Sequence, residues 1–167
     1  VLLFPGRTEY VEKYGVTAVE FAKRGLAVIT IDWRGQGLAD RMLPDRRIGY
    51  VDVFSDYQKD VAALMRAARG LQLPRPFFLL AHSMGGCIGL RAVMEGLSVQ
   101  AAAFTAPMWG IRLAPHLRPI ATALSHLMPK IGQGSRLPMG TKPEPYIDTA
   151  PFDDNMLTTD ESMYDMM

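Results

Sequence analysis

The sequence predicts an α/β fold, a parallel sheet with flanking helices, and three observations point to it. Short β-rich runs alternate with helical patterns from residue 1 to residue 105, in an order that gives four strands with a helix between each pair. Residues 26–31 form an unbroken apolar, β-branched run, which suits a strand covered on both faces better than an alternating edge strand. A third run, residues 77–81, breaks at His82-Ser-Met-Gly-Gly86 and opens directly into a helix. In a parallel sheet the C-terminal strand ends are where ligands bind, so that break falls where chemistry is expected.

The elements follow in order. Residues 1–4 read as a strand ended by Pro5-Gly6. Val11, Tyr14, Ala18, Phe21 and Ala22 recur at helical spacing, and Arg24-Gly25 supplies a basic last turn and a glycine stop. The strand at 26–31 is closed by Asp32 and followed by a glycine-rich loop. Phe54, Tyr57, Val61, Leu64, Met65 and Ala68 mark a second helix, with Ser55 and Gln58 spaced as a capping box and Gly70 as its end. Pro74 and Pro76 lead into the third strand, the helix after Ser83 runs from Met84 to about Met94, and a fourth strand spans residues 100–105.

From Pro107 onward the texture changes. This part holds 8 of the 12 prolines and 7 of the 11 methionines and shows no clear strand, so it reads as an insertion. Leu117, Ile120, Leu124, Leu127 and Met128 mark one amphipathic helix, with Pro119 in its first turn and Pro129 at its end. Residues 132–151 read as a long loop of the kind that forms lids or binding loops. The predicted division is a core over residues 1–106, with the serine turn at 81–85, and a cap with its following segment over 107–167.

Composition excludes several classes. The 18 basic and 17 acidic residues nearly cancel, with no basic tract, so nucleic acid is not an expected partner. One cysteine, Cys87, forms no internal disulfide and no metal cluster; it favours a reducing compartment, and a cytoplasmic location is the expectation. Its place one turn into the helix suggests a small buried hydrophobe. No stretch reaches the roughly 18–20 apolar residues that span a bilayer. The chain starts with Val inside an apolar run, so it reads as one that begins mid-gene. No metal or organic cofactor is expected, since neither a ligand cluster nor a phosphate-binding glycine motif is present.

The chemistry centres on Ser83. Ala81-x-Ser83-x-Gly85 is the G-x-S-x-G nucleophile elbow with Ala in place of the first Gly, a strained strand-to-helix turn that exposes the hydroxyl. Small residues two places to either side let the backbones pass. The nucleophile needs a base, an orienting acid and donors for the oxyanion. The backbone N–H of Met84, at the positive end of the helix, is one predicted donor. The second is expected after an earlier strand, and the N–H of Arg7, after Gly6, fits. Three glycines, Gly85, Gly86 and Gly89, weaken this helix by roughly 1 kcal/mol each relative to Ala, which suggests close helix–strand packing. The base is not legible. His82 is adjacent to Ser83 and its side chain should diverge from the hydroxyl; His116 and His126 lie in the insertion; Asp148, Asp153, Asp154, Asp160 and Asp165 lie in the tail, and none is singled out.

Phe4-Pro-Gly-Arg-Thr-Glu-Tyr10, Asp32-Trp-Arg-Gly-Gln-Gly37 and His82-Ser-Met-Gly-Gly86, in that order and spacing, resemble the oxyanion loop H-G-x-x-E-H, the D-x-R-G-x-G turn and the H-S-M-G-G elbow of one family. This is the monoacylglycerol lipase and lysophospholipase branch of the α/β-hydrolases. The segment Asn155-Met-Leu-Thr-Thr-Asp160 resembles one that follows the cap in bacterial lysophospholipase-like members. Departures are Ala81 for Gly and Pro5 for the loop histidine. The resemblance implies a partial α/β-hydrolase fold with the start of a helical cap, and a serine esterase that cleaves monoacyl lipid esters through an acyl-Ser83 intermediate. Arg7 and Met84 would bind the oxyanion, and the cap would admit the acyl chain and contact the membrane periphery. It also implies that the triad acid and histidine follow further strands, so the chain reads as a fragment lacking both and inactive alone. Peptidase, thioesterase or perhydrolase chemistry on the same elbow, or a non-catalytic truncated product, are the alternatives.

Overall fold

The computed structural model describes residues 1–136 and 151–165. Its centre is a four-stranded parallel sheet in the order β2-β1-β3-β4, built from β1 (Leu2–Phe4), β2 (Ile29–Thr30), β3 (Phe78–His82) and β4 (Ala101–Thr105). Phe4 pairs with Ala81, and Ala81 with Phe104, so the C-terminal ends of the three longer strands are level. The chain steps from β1 to β2 on one side, then returns past β1 to β3 and on to β4. Connections therefore leave β1 and β3 in opposite directions, which opens a crevice at their C-terminal ends.

Four helices surround or follow this sheet as expected, namely α1 (Gly15–Ala22), α2 (Tyr57–Gly70), α3 (Met84–Met94) and α4 (Arg118–Lys130); a short α5 (Glu161–Asp165) lies in the tail. The core lies on one face of the sheet. Leu2 and Phe4 of β1 and Leu79 and Ala81 of β3 point to the same side by strand alternation, and they meet Tyr57, Val61, Leu64 and Ala68 of α2 and Met84, Ile88 and Ala92 of α3. Trp33 is fully buried there, edge-on to Phe4 and to Tyr57. The opposite face is less covered: α1 contributes no fully buried residue, and Ala101 and Ala103 are exposed.

Several expectations need correction. The run at 26–31 is not covered on both faces; only Ile29 and Thr30 form strand, at the edge of the sheet, and both are half-buried. The capping box at Ser55 and Gln58 does not form, because a 3-10 turn over Phe54–Asp56 precedes α2 and Gln58 instead donates to the Ile88 carbonyl of α3 at 3.1 Å. Similarly, Val11–Tyr14 is a 3-10 turn rather than the first turn of α1. Cys87 is half-buried, not buried, since it faces away from the contact with the sheet made by Gly85, Gly86 and Gly89. Beyond the core, α4 has the predicted stripe, but Ile120, Leu124 and Leu127 are each more than half exposed. Most of the predicted loop at 132–151 lies outside the described residues, as does Asp148. Among the described residues no helix is long and apolar enough to cross a membrane.

Candidate active site

The strand β3 ends at His82 and α3 starts at Met84, so Ser83 alone makes the turn, with φ 49° and ψ −117°. A side chain rarely tolerates that backbone, and holding it costs about 1–3 kcal/mol. Backbone hydrogen bonds enforce it. The Ser83 N–H donates to Thr105 O at 3.0 Å, and the Ser83 carbonyl accepts from Gly86 and Met108 N–H, each at 2.9 Å. The end of β4 and the segment after it thus grip the turn from one side.

The other side is β1. A Cβ on Gly85 would stand 2.3 Å from Phe4 O and 2.4 Å from Pro5 O, so only glycine lets the start of α3 lie against the end of β1. Gly89 leaves the space that the Ala81 methyl occupies, which accounts for Ala at the first elbow position: the added carbon sits over a glycine, buried. The close packing expected from the three glycines is therefore present.

The loop after β1 lies beside the serine, since a Cβ on Gly6 would be 3.2 Å from that of Ser83. Its polar backbone groups can be accounted for one by one. Pro5 has no N–H, and its carbonyl accepts from Trp33 Nε1 at 2.9 Å. The Gly6 N–H donates to the Glu9 carboxylate, and the Gly6 carbonyl accepts from Gln36 Nε2 at 3.2 Å. Thr8 N–H donates to Gln36 Oε1 at 2.9 Å, and Thr8 Oγ1 donates to Arg7 O at 2.6 Å. Of the N–H groups of residues 6–8, one is left over. Among the described residues the Arg7 N–H has no acceptor, and neither has the Met84 N–H across from it at the start of α3.

Two side chains that sequence reasoning did not single out hold this loop. Gln36, only 5% exposed, clamps it from both Gly6 and Thr8, an amide satisfied on both ends. Glu9 turns inward and accepts from Gly6 N–H, Tyr14 Oη and Lys13 Nζ. Burial alone would raise its pKa, but the hydrogen bonds from Lys13, Tyr14 and Gly6 outweigh that and hold it below the ordinary carboxylate value; the Tyr14 phenol is pushed strongly upward by burial and by this carboxylate. The glutamate of the loop motif was the available signal, as was a lone amide inside a glycine-rich turn. That turn is itself braced: Asp32 accepts from Val11 and Leu38 N–H, and Arg34 forms a bidentate pair with Asp60. Through Gln36 it supports the loop after β1.

The histidines stand apart. His82 diverges from Ser83: its Nδ1 is 2.9 Å from Thr105 Oγ1 and its Nε2 is 4.0 Å from Glu9. His126 Nδ1 lies 2.8 Å from Thr122 O of its own helix, and His116 is exposed. Among the described residues no histidine and no carboxylate hydrogen-bonds Ser83. The structure sets Gly6, the residue before Arg7, against Ser83, which Met84 follows directly, and places Asp153, Asp154, Asp160 and Asp165 as exposed residues of the tail.

The chain has counterparts among known proteins. A family model described as "Serine aminopeptidase, S33" matches residues 1–165. Lysophospholipase L2 of Escherichia coli K12 is 40% identical over 112 residues, covering 66% of this chain and 33% of that protein. A probable lysophospholipase L2 of Haemophilus influenzae is 31% identical over 141 residues, covering 84% and 44%. The chain thus spans less than half the length of these two relatives. Among solved structures, a soluble variant of monoglyceride lipase from Saccharomyces cerevisiae, in complex with a substrate analog, superposes with a TM-score of 0.57 at 25% identity, covering 84% of this chain and 46% of that one.

Proposed function

The chain belongs to the serine aminopeptidase S33 family of α/β-hydrolases, and from that membership we propose that the protein is a serine ester hydrolase acting on monoacyl lipid esters, lysophospholipid or monoacylglycerol. The observation that carries this reading is the pair of unspent N–H groups, Arg7 and Met84, beside a serine held at positive φ. Ser83 Oγ attacks the ester carbonyl carbon. As the tetrahedral intermediate forms, its oxyanion accepts hydrogen bonds from Arg7 and Met84, donors fixed in advance by Gln36, Glu9 and the start of α3. Collapse breaks the bond to the leaving alcohol and leaves the acyl group on Ser83, which water then releases.

A hydroxyl needs a base for this, and the chain has three histidines, all engaged or placed elsewhere. We propose that the base is supplied by a part of the protein other than the described residues, and that the 167-residue chain alone turns over little ester. Residues 1–106 act as the catalytic core and 107–167 as the cap, whose exposed Ile120, Leu124 and Leu127 suit an acyl chain or the surface of a membrane. The lipid class is supported by the relatives' names, lysophospholipase and monoglyceride lipase.

The family description favours a second reading, amide hydrolysis at a peptide N-terminus. Assaying the natural full-length protein on a monoacylglycerol, a lysophospholipid, an acyl thioester and an aminoacyl amide separates the two. The expected result is ester turnover that Ser83→Ala abolishes. Preference for the amide, or ester turnover that survives Ser83→Ala, overturns the proposal.

A further inference from the structure

Arg7 carries a side chain that the reaction as described does not use. It is exposed, and its only hydrogen bond among the described residues is a long one, from Nη2 to the Gly49 carbonyl at 3.4 Å. Four other arginines are paired with carboxylates: Arg34 with Asp60 and Asp56, Arg24 with Glu20, Arg47 with Asp45, Arg91 with Glu95. No carboxylate lies within ion-pair distance of Arg7 among the described residues. The one acid of its own loop, Glu9, is turned inward and tied to Lys13, and the Asp32 carboxylate is spent on Val11 and Leu38 N–H.

The first part of the 107–167 segment has the same sign of charge. Residues 107–136 hold Arg112, Arg118, Lys130 and Arg136 and no aspartate or glutamate. The acids of the 107–167 segment that the structure describes, Asp153, Asp154, Asp160, Glu161 and Asp165, all lie in its tail.

We propose that the Arg7 guanidinium binds the phosphodiester of a lysophospholipid headgroup, so that this loop selects a monoacyl phospholipid over an uncharged monoacylglycerol. The proposal rests on the lipid-esterase reading and deepens it. Chain lengths match. With the Arg7 N–H on the carbonyl oxygen, six bonds lead from that nitrogen to the guanidinium carbon, and six bonds lead from the ester carbonyl carbon through glycerol to phosphorus. A guanidinium presents two parallel N–H donors that fit two phosphate oxygens, and its weak bond to Gly49 is easily exchanged for that pairing. The same residue would then hold the reacting group by its backbone and the headgroup by its side chain.

The test uses the natural full-length protein with two substrates of one acyl chain, 1-palmitoyl lysophosphatidylethanolamine and 1-palmitoylglycerol, and reads the ratio of their kcat/KM values. Arg7→Gln keeps the backbone N–H and removes the charge. The expected result is a fall in that ratio of roughly ten- to a hundredfold, mainly through the KM for the phospholipid, with Arg7→Lys restoring part of it. An unchanged ratio overturns the proposal, whether both activities survive or both fall together; in the second case Arg7 acts only through its loop. If the wild-type protein cleaves neither ester, the esterase reading itself fails, a result distinct from an unchanged ratio.

Discussion

Gly85→Ala probes the contact on which the site is assembled. The new methyl would stand 2.3 Å from Phe4 O and 2.4 Å from Pro5 O, inside the 3.0 Å that real Cβ contacts respect. Neither obstacle can swing aside. Phe4 is locked into the sheet opposite Ala81, and Pro5 O is held by the Trp33 indole at 2.9 Å. The start of α3 must therefore retreat from β1, carrying Ser83 and the Met84 N–H away from the Arg7 N–H, which stays with the loop. Overpacking costs about 1–3 kcal/mol, and collision with backbone on both sides places this case near the top of that range. A misplacement on the order of 1 Å costs up to about a hundredfold in rate. In the full-length protein we expect urea unfolding to show a loss of about 3 kcal/mol, and ester hydrolysis to show kcat/KM reduced ten- to a hundredfold. Gly70→Ala, with nothing within 4 Å of the added carbon, serves as control and should stay within about 1 kcal/mol of wild type. If Gly85→Ala matches that control in stability and rate, the close approach of α3 to β1 does not position the site.

Three more expectations follow from the same geometry. Ser83→Gly should raise stability by about 0.5–1 kcal/mol, since glycine adopts φ 49° without strain, while abolishing acylation; a lower urea midpoint would refute the strain. Gln36→Leu leaves the Gly6 carbonyl buried without its partner, at about 1–3 kcal/mol, releases the part-buried Thr8 N–H, and should lower kcat more than it raises KM; wild-type kcat would show that the loop holds itself. Glu9 has a folded pKa below its ordinary 4.5, so its contribution to stability is fully present above 4.5 and is lost as pH falls through the folded value. Melting temperatures measured from pH 6 to 3 should therefore fall more steeply for wild type than for Glu9→Gln, and parallel curves would contradict the assignment.

The parts of this molecule that repeat a local rule were legible in the sequence. Ala81, Ser83 and Gly85 specify their turn by size alone, and the stripe from Tyr57 to Ala68 specifies a helix face. Residues whose role depends on a distant partner were not. Gln58 sits at capping-box spacing but reaches the Ile88 carbonyl of α3 instead, and a 3-10 turn precedes α2. The apolar run at 26–31 has the composition of a central strand, yet nothing in that composition tells whether a neighbour lies on each side. Gln36 looks like one more polar residue of a glycine-rich turn. Only the fold, which brings that turn under the Pro5–Thr8 loop, makes it a clamp.

The buried indole of Trp33 gives the loop after β1 a built-in optical reporter. Of the two tryptophans, Trp33 is fully enclosed while Trp109 is 57% exposed. Acrylamide should quench Trp109 first and leave an emission that belongs to Trp33 alone. That indole donates its N–H to Pro5 O, so the residual spectrum follows the loop itself. Substrate arrival, loop loosening in Gln36→Leu and the retreat of α3 in Gly85→Ala can then be watched by intrinsic fluorescence, without a label and without turnover.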